Sequence, residues 1–178
     1  MELLIIFAIL IKLSSCIETH FGSCPHVSPR SNITIGNISG IWYDIMKYQS
    51  IFAKGRCISF NIHDIPNNII SITVSEQNDG EIENSTRRGK VHSDGSFEFS
   101  FTFLKFSATF YILDTDYHNY IVGFGCKDVA YMVNMQMAII WGRERELSDV
   151  YISKAYDVLK NNKISTAGLE KSEQSRCH

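Results

Sequence analysis

The sequence lacks a strong charge of either sign. Its 178 residues carry 17 lysines and arginines against 19 aspartates and glutamates, which gives a formal net charge of −2. Because no basic excess is present, nucleic acid and anionic membrane surfaces are not expected partners. The aromatic fraction is 12%, and phenylalanine alone occurs 11 times. A single domain of this length therefore has the apolar material for a sizeable core, whether that core is filled or hollow.

The sequence also lacks an apolar run that could cross a bilayer. Its longest run, residues 3–11, has nine residues, which is the length of the apolar part of a secretory signal and too short for a transmembrane segment. The small residues 14–16 offer a cleavage site, so we predict a signal peptide over 1–16 and a single domain over 17–178. A lipobox-like pattern ending at Cys16 is the alternative, and it would retain that cysteine as a lipidated N-terminus.

Cysteines and glycosylation sequons favour a eukaryotic secretory route. Four cysteines follow the predicted signal: Cys24, Cys57, Cys126 and Cys177. In an oxidising compartment they most simply form two disulfides, in any of three pairings. Sequons begin at Asn32, Asn37 and Asn84, and each is a candidate N-glycosylation site. We therefore predict a secreted, extracellular protein.

Motifs of the common catalytic and metal sites are absent from the sequence. None of its six histidines belongs to a His-Glu-x-x-His pattern, and there is no Cys-x-x-Cys, Gly-rich phosphate loop or Gly-x-Ser-x-Gly elbow. The polar run Thr115-Asp116-Tyr117-His118 has groups of catalytic type, but its place before a strand favours a turn. We predict that the protein is not an enzyme, binds no metal and requires no cofactor.

Short strand-like runs separated by turn signals dominate the chain after residue 40, a spacing typical of an all-β barrel or sandwich. The runs span residues 42–48, 58–65, 69–75, 81–92, 97–103, 108–113, 120–126 and 135–141. One helical pattern follows over 147–160, with Tyr151, Ala155, Val158 and Leu159 on one face. The polar residues 164–178 are expected to form an arm held only by Cys177.

Three motifs, in this order, resemble those of the lipocalin family. They are Gly40-Ile41-Trp42-Tyr43-Asp44, Thr115-Asp116-Tyr117 and Trp141-Gly142-Arg143. Phe21-Gly22-Ser23-Cys24-Pro25 and Lys54-Gly55-Arg56-Cys57 narrow the resemblance to apolipoprotein D and its insect relatives, among them bilin-binding protein, insecticyanin and Lazarillo. The resemblance spans residues 21–178. It implies an eight-stranded antiparallel up-and-down barrel with one C-terminal α-helix packed outside.

The same resemblance implies how the barrel is closed and fastened. Cys24 should pair with Cys126, and Cys57 with Cys177. Trp42 should plug the bottom of the barrel, with the Arg143 guanidinium lying over its indole. The alternative for Arg143 is a solvated end of strand, because it begins a run of alternating charges over 143–146.

Alternation along each strand selects the residues that would face a ligand, because inward and outward side chains take turns in a barrel. Phe97, Phe99, Phe101 and Phe103 follow strict period two. The candidates for ligand contact are Tyr48, Phe52, Ile62, Phe99, Phe101, Phe103, Met135, Met137 and Ile139. Phe52, in the loop over the open end, would cap the mouth. The alternative is that these side chains fill a dry core and leave no cavity.

The function that follows is a secreted carrier of one small hydrophobic molecule. The resemblance to the insect relatives implies a bound bilin-type pigment, and a sterol, fatty acid or other lipid would suit the carrier nearly as well. The competing hypothesis is an extracellular interaction module that uses the barrel as a rigid scaffold and has no physiological small ligand. A receptor or a weak homo-oligomer is compatible with both.

Overall fold

Ten strands form one antiparallel sheet that closes on itself. The computed structural model describes residues 19–49, 53–101 and 106–177, without the side chains of residues 101, 106 and 130. The strands are β1 (Thr19–Phe21), β2 (Gly40–Tyr48), β3 (Arg56–Ile65), β4 (Ile69–Asn78), β5 (Glu81–Val91), β6 (Phe97–Phe101), β7 (Phe106–Thr115), β8 (Tyr120–Ala130), β9 (Val133–Gly142) and β10 (Leu169–Lys171). Two helices, α1 (Ile35–Ile38) and α2 (Asp149–Asn161), complete the fold. The predicted signal peptide, Phe52 and Phe103 lie outside the described residues.

Strands β2 to β9 pair in chain order, and β9 returns to pair with β2. This closure makes an eight-stranded up-and-down barrel, and it confirms the predicted fold class. The two remaining strands extend the sheet at its seam: β1 pairs with β9, and β10 pairs with β2. A closed barrel has no free edge and has an inside, so its inward side chains can either fill the interior or surround a space.

The seam between β2 and β9 contains an irregularity that changes which residues face inward. Asp44 pairs with Trp141 and Met46 with Ile140, so one extra residue of β2 lies between the two pairs. Such a bulge shifts the alternation of the residues that follow it. Trp42 and Asp44 face the interior before the bulge and Lys47 does so after it, while the Tyr48 ring packs in the outer hydrophobic core.

Helix α2 covers the outside of the barrel, as predicted. It runs from Asp149 to Asn161, and Ala155 and Leu159 are its fully buried residues. Ser148 precedes the helix, although its side chain makes no capping hydrogen bond. The helix packs on outward residues of β8, including Val122 and Phe124. Among the described residues, neither helix has the length and apolarity that a bilayer crossing requires.

The C-terminal segment is held far more firmly than the sequence suggested, so the expectation of an arm tied only by Cys177 is wrong. Strand β2 pairs with β3 only over residues 40–43, and the two strands then separate. The backbone groups that β2 and β3 expose where they separate need hydrogen-bond partners. The C-terminal segment supplies these partners. The Gln174 side-chain amide donates to the Asp44 and Ile58 carbonyls at 2.9 and 2.8 Å. The Cys57 amide donates to the Glu173 carbonyl at 2.7 Å.

Two disulfides fasten both chain ends to the barrel wall. They join Cys24 to Cys126 and Cys57 to Cys177, which is the pairing that the family resemblance implied. The linked residues are 102 and 120 positions apart. In the chain-entropy account, a link across about 100 residues stabilises the folded state by up to roughly 4–5 kcal/mol.

A charged cluster beside α2 connects the N-terminal segment to the barrel. The Asp114 carboxylate accepts from the Arg30 guanidinium at 2.6 Å and from the Tyr120 hydroxyl at 2.5 Å, and the Lys154 ammonium lies 3.6 Å away. Burial alone would raise the pKa of Asp114, but these hydrogen bonds outweigh it and the net pKa is lowered. Burial and the Asp114 carboxylate raise the pKa of the Tyr120 phenol to about 12.

Asp114→Asn is therefore expected to lower the free energy of unfolding at pH 7 by about 1–2 kcal/mol, because it removes the carboxylate charge that faces two hydrogen-bond donors and one nearby ammonium group. This deficit in unfolding free energy, relative to the parent protein, should shrink as the pH falls from 7 to 3. Since the folded pKa lies below the ordinary value of 3.8, the parent loses this stabilisation as its own carboxyl is protonated. Denaturant titrations at several pH values measure both effects. Asp79→Asn, in the exposed β4–β5 turn, is the control, and a deficit that stays constant with pH would contradict the account.

Candidate functional site

The closed end of the barrel is built around Trp42. Its ring is fully buried, and its Nε1–H donates to the Ile38 carbonyl of α1 at 2.7 Å. The Arg143 guanidinium lies over the indole, with Cζ 3.7 Å from the ring centroid. The structure thus brings together the two residues that the resemblance assigned to barrel closure. A contact of this kind contributes on the order of 0.5–2 kcal/mol.

Arg143 also joins the elements that meet at the closed end. It donates to the carbonyls of Ser39 and Ile41 at 3.1 Å and to the Tyr117 carbonyl at 3.2 Å. Burial lowers the pKa of this guanidinium. The backbone carbonyls accept its N–H groups, and the indole face covers its plane. Arg143 is therefore a structural part of the closed end and not a solvated end of strand.

The polar run before β8 is a structural turn. The Asp116 carboxylate accepts the backbone amides of His118, Asn119 and Tyr120 at 3.1, 2.7 and 3.2 Å. Burial would raise the pKa of Asp116, but these hydrogen bonds prevail and lower it. Thr115 Oγ1 donates to the Tyr120 carbonyl at 2.6 Å. The side chains of Thr115 and Asp116 are thus engaged in shaping the β7–β8 connection.

Above the closed end, the lower half of the barrel is filled. Its inward residues form one hydrophobic cluster: Ile38, Trp42, Ile62, Ile70, Phe97, Ile112, Ile121, Ile139 and Trp141. At the top of this cluster the rings of Phe60 and Trp141 stack with centroids 4.2 Å apart. Both of these rings line the space above. The stacked pair is therefore the floor of a cup that occupies the upper half of the barrel.

The cup encloses about 780 Å³ of empty space, including the part that opens to solvent. The residues that line it are Asp44, Lys47, Tyr48, Ala53, Phe60, Ile72, Val74, Arg87, Phe99, Phe110, Met137, Ile139 and Trp141. Aromatic and aliphatic side chains make most of the wall, so the cup is suited to an apolar molecule.

Glycines on neighbouring strands give the wall its hollow shape. A Cβ placed on Gly89 would lie 2.7 Å from the Phe99 ring, and one on Gly123 would lie 2.6 Å from the Phe110 ring. Real Cβ atoms do not approach that closely. Each ring therefore occupies the place that a side chain on the neighbouring strand would take, so it projects less far into the cup.

Of the predicted ligand-contacting residues, Phe99, Met137 and Ile139 line the cup. Tyr48 borders it as well, but its ring packs in the outer hydrophobic core and its hydroxyl donates to the Ser165 carbonyl. The β2 bulge explains this difference, because the prediction assumed unbroken alternation. Phe52, Phe103 and the Phe101 side chain lie outside the described part of the chain.

Ile62 and Met135 share the parity of inward residues on their strands, but they lie at other heights along the barrel axis than the described part of the cup. Ile62 is fully buried in the cluster that surrounds Trp42, beneath the floor. Met135 lies two residues nearer the open end than Met137, where it pairs with Thr19 and Lys127. Neither side chain borders the described part of the cup. Alternation along a strand predicts whether a side chain points into or out of the barrel. Its height along the barrel axis depends on the register between strands.

Sequence reasoning did not propose several lining residues, and Asp44 is the most consequential of them. It is fully buried although it carries a carboxyl group. Asp44 Oδ2 accepts from the Ser172 hydroxyl at 2.6 Å and forms an ion pair with the Lys47 ammonium at 3.0 Å. One feature of the sequence could have identified Asp44: it lies two residues after Trp42 on the same strand, and alternation therefore predicts the same inward face. Arg87, on the opposite wall, was also missed.

The described residues offer no other obvious chemical centre. They contain no cluster of three or more His, Cys, Asp or Glu side chains that could hold a metal ion. Each of the four cysteines within them is in a disulfide, so none presents a thiol to the cup. The arrangement can bind and bury an apolar molecule.

Comparison with known proteins agrees with this architecture. The profile of the lipocalin / cytosolic fatty-acid binding protein family matches residues 39–175. The chain belongs to the lipocalin family. Apolipoprotein D from Cavia porcellus is 28% identical over 162 residues, covering 89% of this chain and 86% of that protein. Bilin-binding protein from Pieris brassicae is 28% identical over 146 residues, covering 71% of this chain and 69% of that protein.

Among solved structures, lobster apocrustacyanin A1 superposes with a TM-score of 0.77 at 20% identity, covering 88% of this chain and 91% of that one. A likeness at this level of identity concerns the fold. The sequence relatives confirm the predicted placement in the branch of the family that contains apolipoprotein D and insect bilin-binding protein.

Gly89→Ala is expected to push the Phe99 ring into the cup and so weaken binding of an uncharged fluorescent probe, N-phenyl-1-naphthylamine, by about tenfold. The reason is the loss of open volume, since overpacking of this kind costs about 1–3 kcal/mol. Fluorescence titration measures the affinity. Gly36→Ala, where a Cβ meets nothing within 4 Å, should leave it unchanged.

The double variant Gly89→Ala/Phe99→Leu should restore probe binding, because the smaller side chain makes room for the added methyl group. Unchanged probe affinity in Gly89→Ala would contradict the role assigned to this glycine.

Proposed function

We propose that this chain is a secreted carrier that holds one small hydrophobic molecule inside the barrel cup. The observation that carries the proposal is the open cup with a mostly apolar wall above the Phe60–Trp141 floor. Each Å² of apolar surface that a ligand removes from water contributes roughly 25 cal/mol. Because the wall is built on paired strands and is already formed, the entropic cost of ordering it is small.

The disulfides and the glycosylation sequons of the chain support secretion. Its two disulfides suit an oxidising compartment. The three sequon asparagines, Asn32, Asn37 and Asn84, are all exposed on the surface, as N-glycosylation requires. Residues 1–16 would be removed as the signal peptide, and the domain from residue 17 onward would be the secreted form.

The ligand class that we propose is a bilin-type pigment, or a sterol, fatty acid or other lipid. The relative from Pieris brassicae is a bilin-binding protein, and the mostly apolar wall fits either kind of molecule. Binding requires no cofactor and no bond-making step. A pigment would give the purified protein a visible absorption band, whereas a lipid would leave it colourless.

One observation favours a second candidate function, an extracellular interaction module. Three apolar side chains near the β8–β9 turn are strongly exposed: Phe21 at 88%, Tyr131 at 102% and Met132 at 58% of their maximal area. Clustered exposed apolar residues are typical of surfaces that contact a receptor or a second copy of the chain. On this hypothesis the barrel is a rigid scaffold and the cup has no physiological ligand.

The decisive test is native mass spectrometry and organic extraction of the glycosylated protein from its natural source. We expect one small apolar molecule per chain. Phe99→Ala should reduce retention of that molecule by roughly tenfold, because a ring that lines the cup is lost. Ser100→Ala, the adjacent exposed residue on the other face of β6, should have no effect.

One outcome would contradict the carrier proposal, and another would contradict only the role assigned to Phe99. A native mass equal to that of the glycosylated chain alone, together with no binding of N-phenyl-1-naphthylamine, would favour the interaction module. Equal effects of Phe99→Ala and Ser100→Ala would show that β6 does not present Phe99 to the ligand.

A further inference from the structure

The described wall of the cup carries a positive charge in otherwise mostly apolar surroundings. Three of its residues are charged: Asp44 is negative, whereas Lys47 and Arg87 are positive. The Lys47 ammonium lies 3.0 Å from Asp44 Oδ2, so these two opposite charges balance each other within one contact. The other lining residues that the structure describes are uncharged. The net positive charge of this wall therefore belongs to Arg87.

Arg87 faces the interior of the barrel. In β5, residues 86, 88 and 90 are exposed, whereas Gly89 is buried and Arg87 is partly buried, so Arg87 keeps some accessible surface. This alternation places residues 87 and 89 on the inward face of the strand. The cross-strand partner of Arg87 in β4 is Ile72, which lines the cup as well. The burial pattern and the strand register thus agree that the Arg87 side chain points toward the cup.

The acidic side chains nearest to Arg87 on the inward face of β4 and β5 lie at the open end. Glu76 and Glu83 face each other there as a cross-strand pair. Glu83 is four residues from Arg87, which is about 13 Å along a strand, and charges in physiological salt are largely screened beyond about 8 Å. The Glu76 carboxylate accepts the Gly55 amide, and the Glu83 carboxylate accepts the Asn78 side-chain amide. The wall around Arg87 therefore keeps its positive character.

A cation in an apolar wall changes which molecules the cup can hold. Moving a carboxylate from water into apolar surroundings is strongly unfavourable unless a partner compensates its charge. A guanidinium is such a partner, because it stays charged and its planar N–H groups match the two oxygens of a carboxylate. Since it has five N–H donors, it can bind a ligand and keep contacts with the protein. Arg87 therefore suits the anionic end of an otherwise apolar molecule.

We propose that the cup selects apolar molecules that carry a carboxylate, and that Arg87 binds this carboxylate. The inference rests on the proposed carrier function and specifies it. Among the ligand classes proposed above, fatty acids and bilin pigments carry carboxylates, whereas sterols do not. The apolar part of the ligand lies among the aromatic and aliphatic side chains of the cup, above the floor formed by Phe60 and Trp141.

A matched pair of ligands tests the preference on the full glycosylated chain. Dodecanoate and dodecanamide have the same alkyl chain and end groups of similar shape, but only dodecanoate is charged at pH 8. In an apolar cup without a cation the amide would bind more tightly, because a carboxylate costs more to remove from water. We expect dodecanoate to displace N-phenyl-1-naphthylamine with at least threefold higher affinity than dodecanamide. Displacement titrations followed by probe fluorescence measure both affinities.

Two variants at position 87 assign the preference to the guanidinium. In Arg87→Met the order of the two ligands should reverse, because dodecanoate loses about tenfold in affinity with its charged partner. Dodecanamide and the uncharged probe should bind as before, which shows that the cup is intact. In Arg87→Lys dodecanoate should still bind more tightly than dodecanamide, by a smaller margin, since the charge remains but the planar group is lost.

Arg88→Met is the matched control, because Arg88 adjoins Arg87 in β5 but is exposed on the outer face of the strand. This variant removes the same charge from the protein, and it should leave the ratio of the two affinities unchanged. An equal loss of the preference in Arg88→Met and Arg87→Met would mean that it arises from the overall charge of the protein. The inference would then be overturned.

Biliverdin and its dimethyl ester form a second pair, which separates the two carboxylate-bearing classes. A larger Arg87-dependent preference for biliverdin over its ester than for dodecanoate over dodecanamide would identify a pigment as the favoured ligand. A larger preference in the dodecyl pair would identify a fatty acid. Either result supports the role assigned to Arg87.

The outcomes distinguish this inference from the function on which it rests. If the probe binds and the carboxylate has no advantage in either pair, the role of Arg87 is wrong while carriage stands. If the probe and all four ligands fail to bind, the carrier function is wrong and the inference falls with it.

Discussion

The pairing of β2 with β9 is the constraint on which the rest of the structure depends. Without it, the strands form an open sheet with two faces and no interior; with it, alternate side chains are enclosed. The seam also positions the main polar features of the barrel. Trp42 and Asp44 lie on one side, Trp141 and Arg143 on the other, and the β2 bulge between Asp44 and Met46 gives each residue its face. The C-terminal segment then fills the gap that β2 leaves against β3.

The interior of the barrel has two levels, a lower one that is filled by side chains and an upper one that is open. Below the Phe60–Trp141 stack, large side chains fill the barrel and carry its stability. Above it, Gly89 and Gly123 let the rings of Phe99 and Phe110 lie close against the neighbouring strands, and space remains. The filled lower half and the disulfide-bound ends make the barrel rigid, so the upper half can stay open without collapsing. The same strands thus provide both properties: their lower residues stabilise the barrel, and their upper residues surround the cavity.

Much of this architecture was predictable from sequence, and particular residues show where prediction failed. The period-two phenylalanines identified β6 and its inward face, and the family motifs identified the closed end. Tyr48 borders the cup, but its ring packs in the outer core because of the residue inserted in β2, which alternation cannot reveal. Ile62 lies below the described part of the cup and Met135 nearer the open end, because the height of a residue depends on register between strands, which sequence does not encode locally. Asp44 was overlooked because a carboxyl group is expected at the surface, and only the observed contacts with Ser172 and Lys47 explain its burial.

The central claim is that the closed barrel is filled below its floor and hollow above it. Xenon binds in apolar cavities and is excluded where side chains already fill the space. A crystal structure under xenon pressure therefore tests the claim most directly. The account predicts xenon in the upper half, bordered by Phe99, Phe110 and Ile139, and none around Trp42. An interior without xenon, with the cup filled by the protein's own side chains, would contradict it.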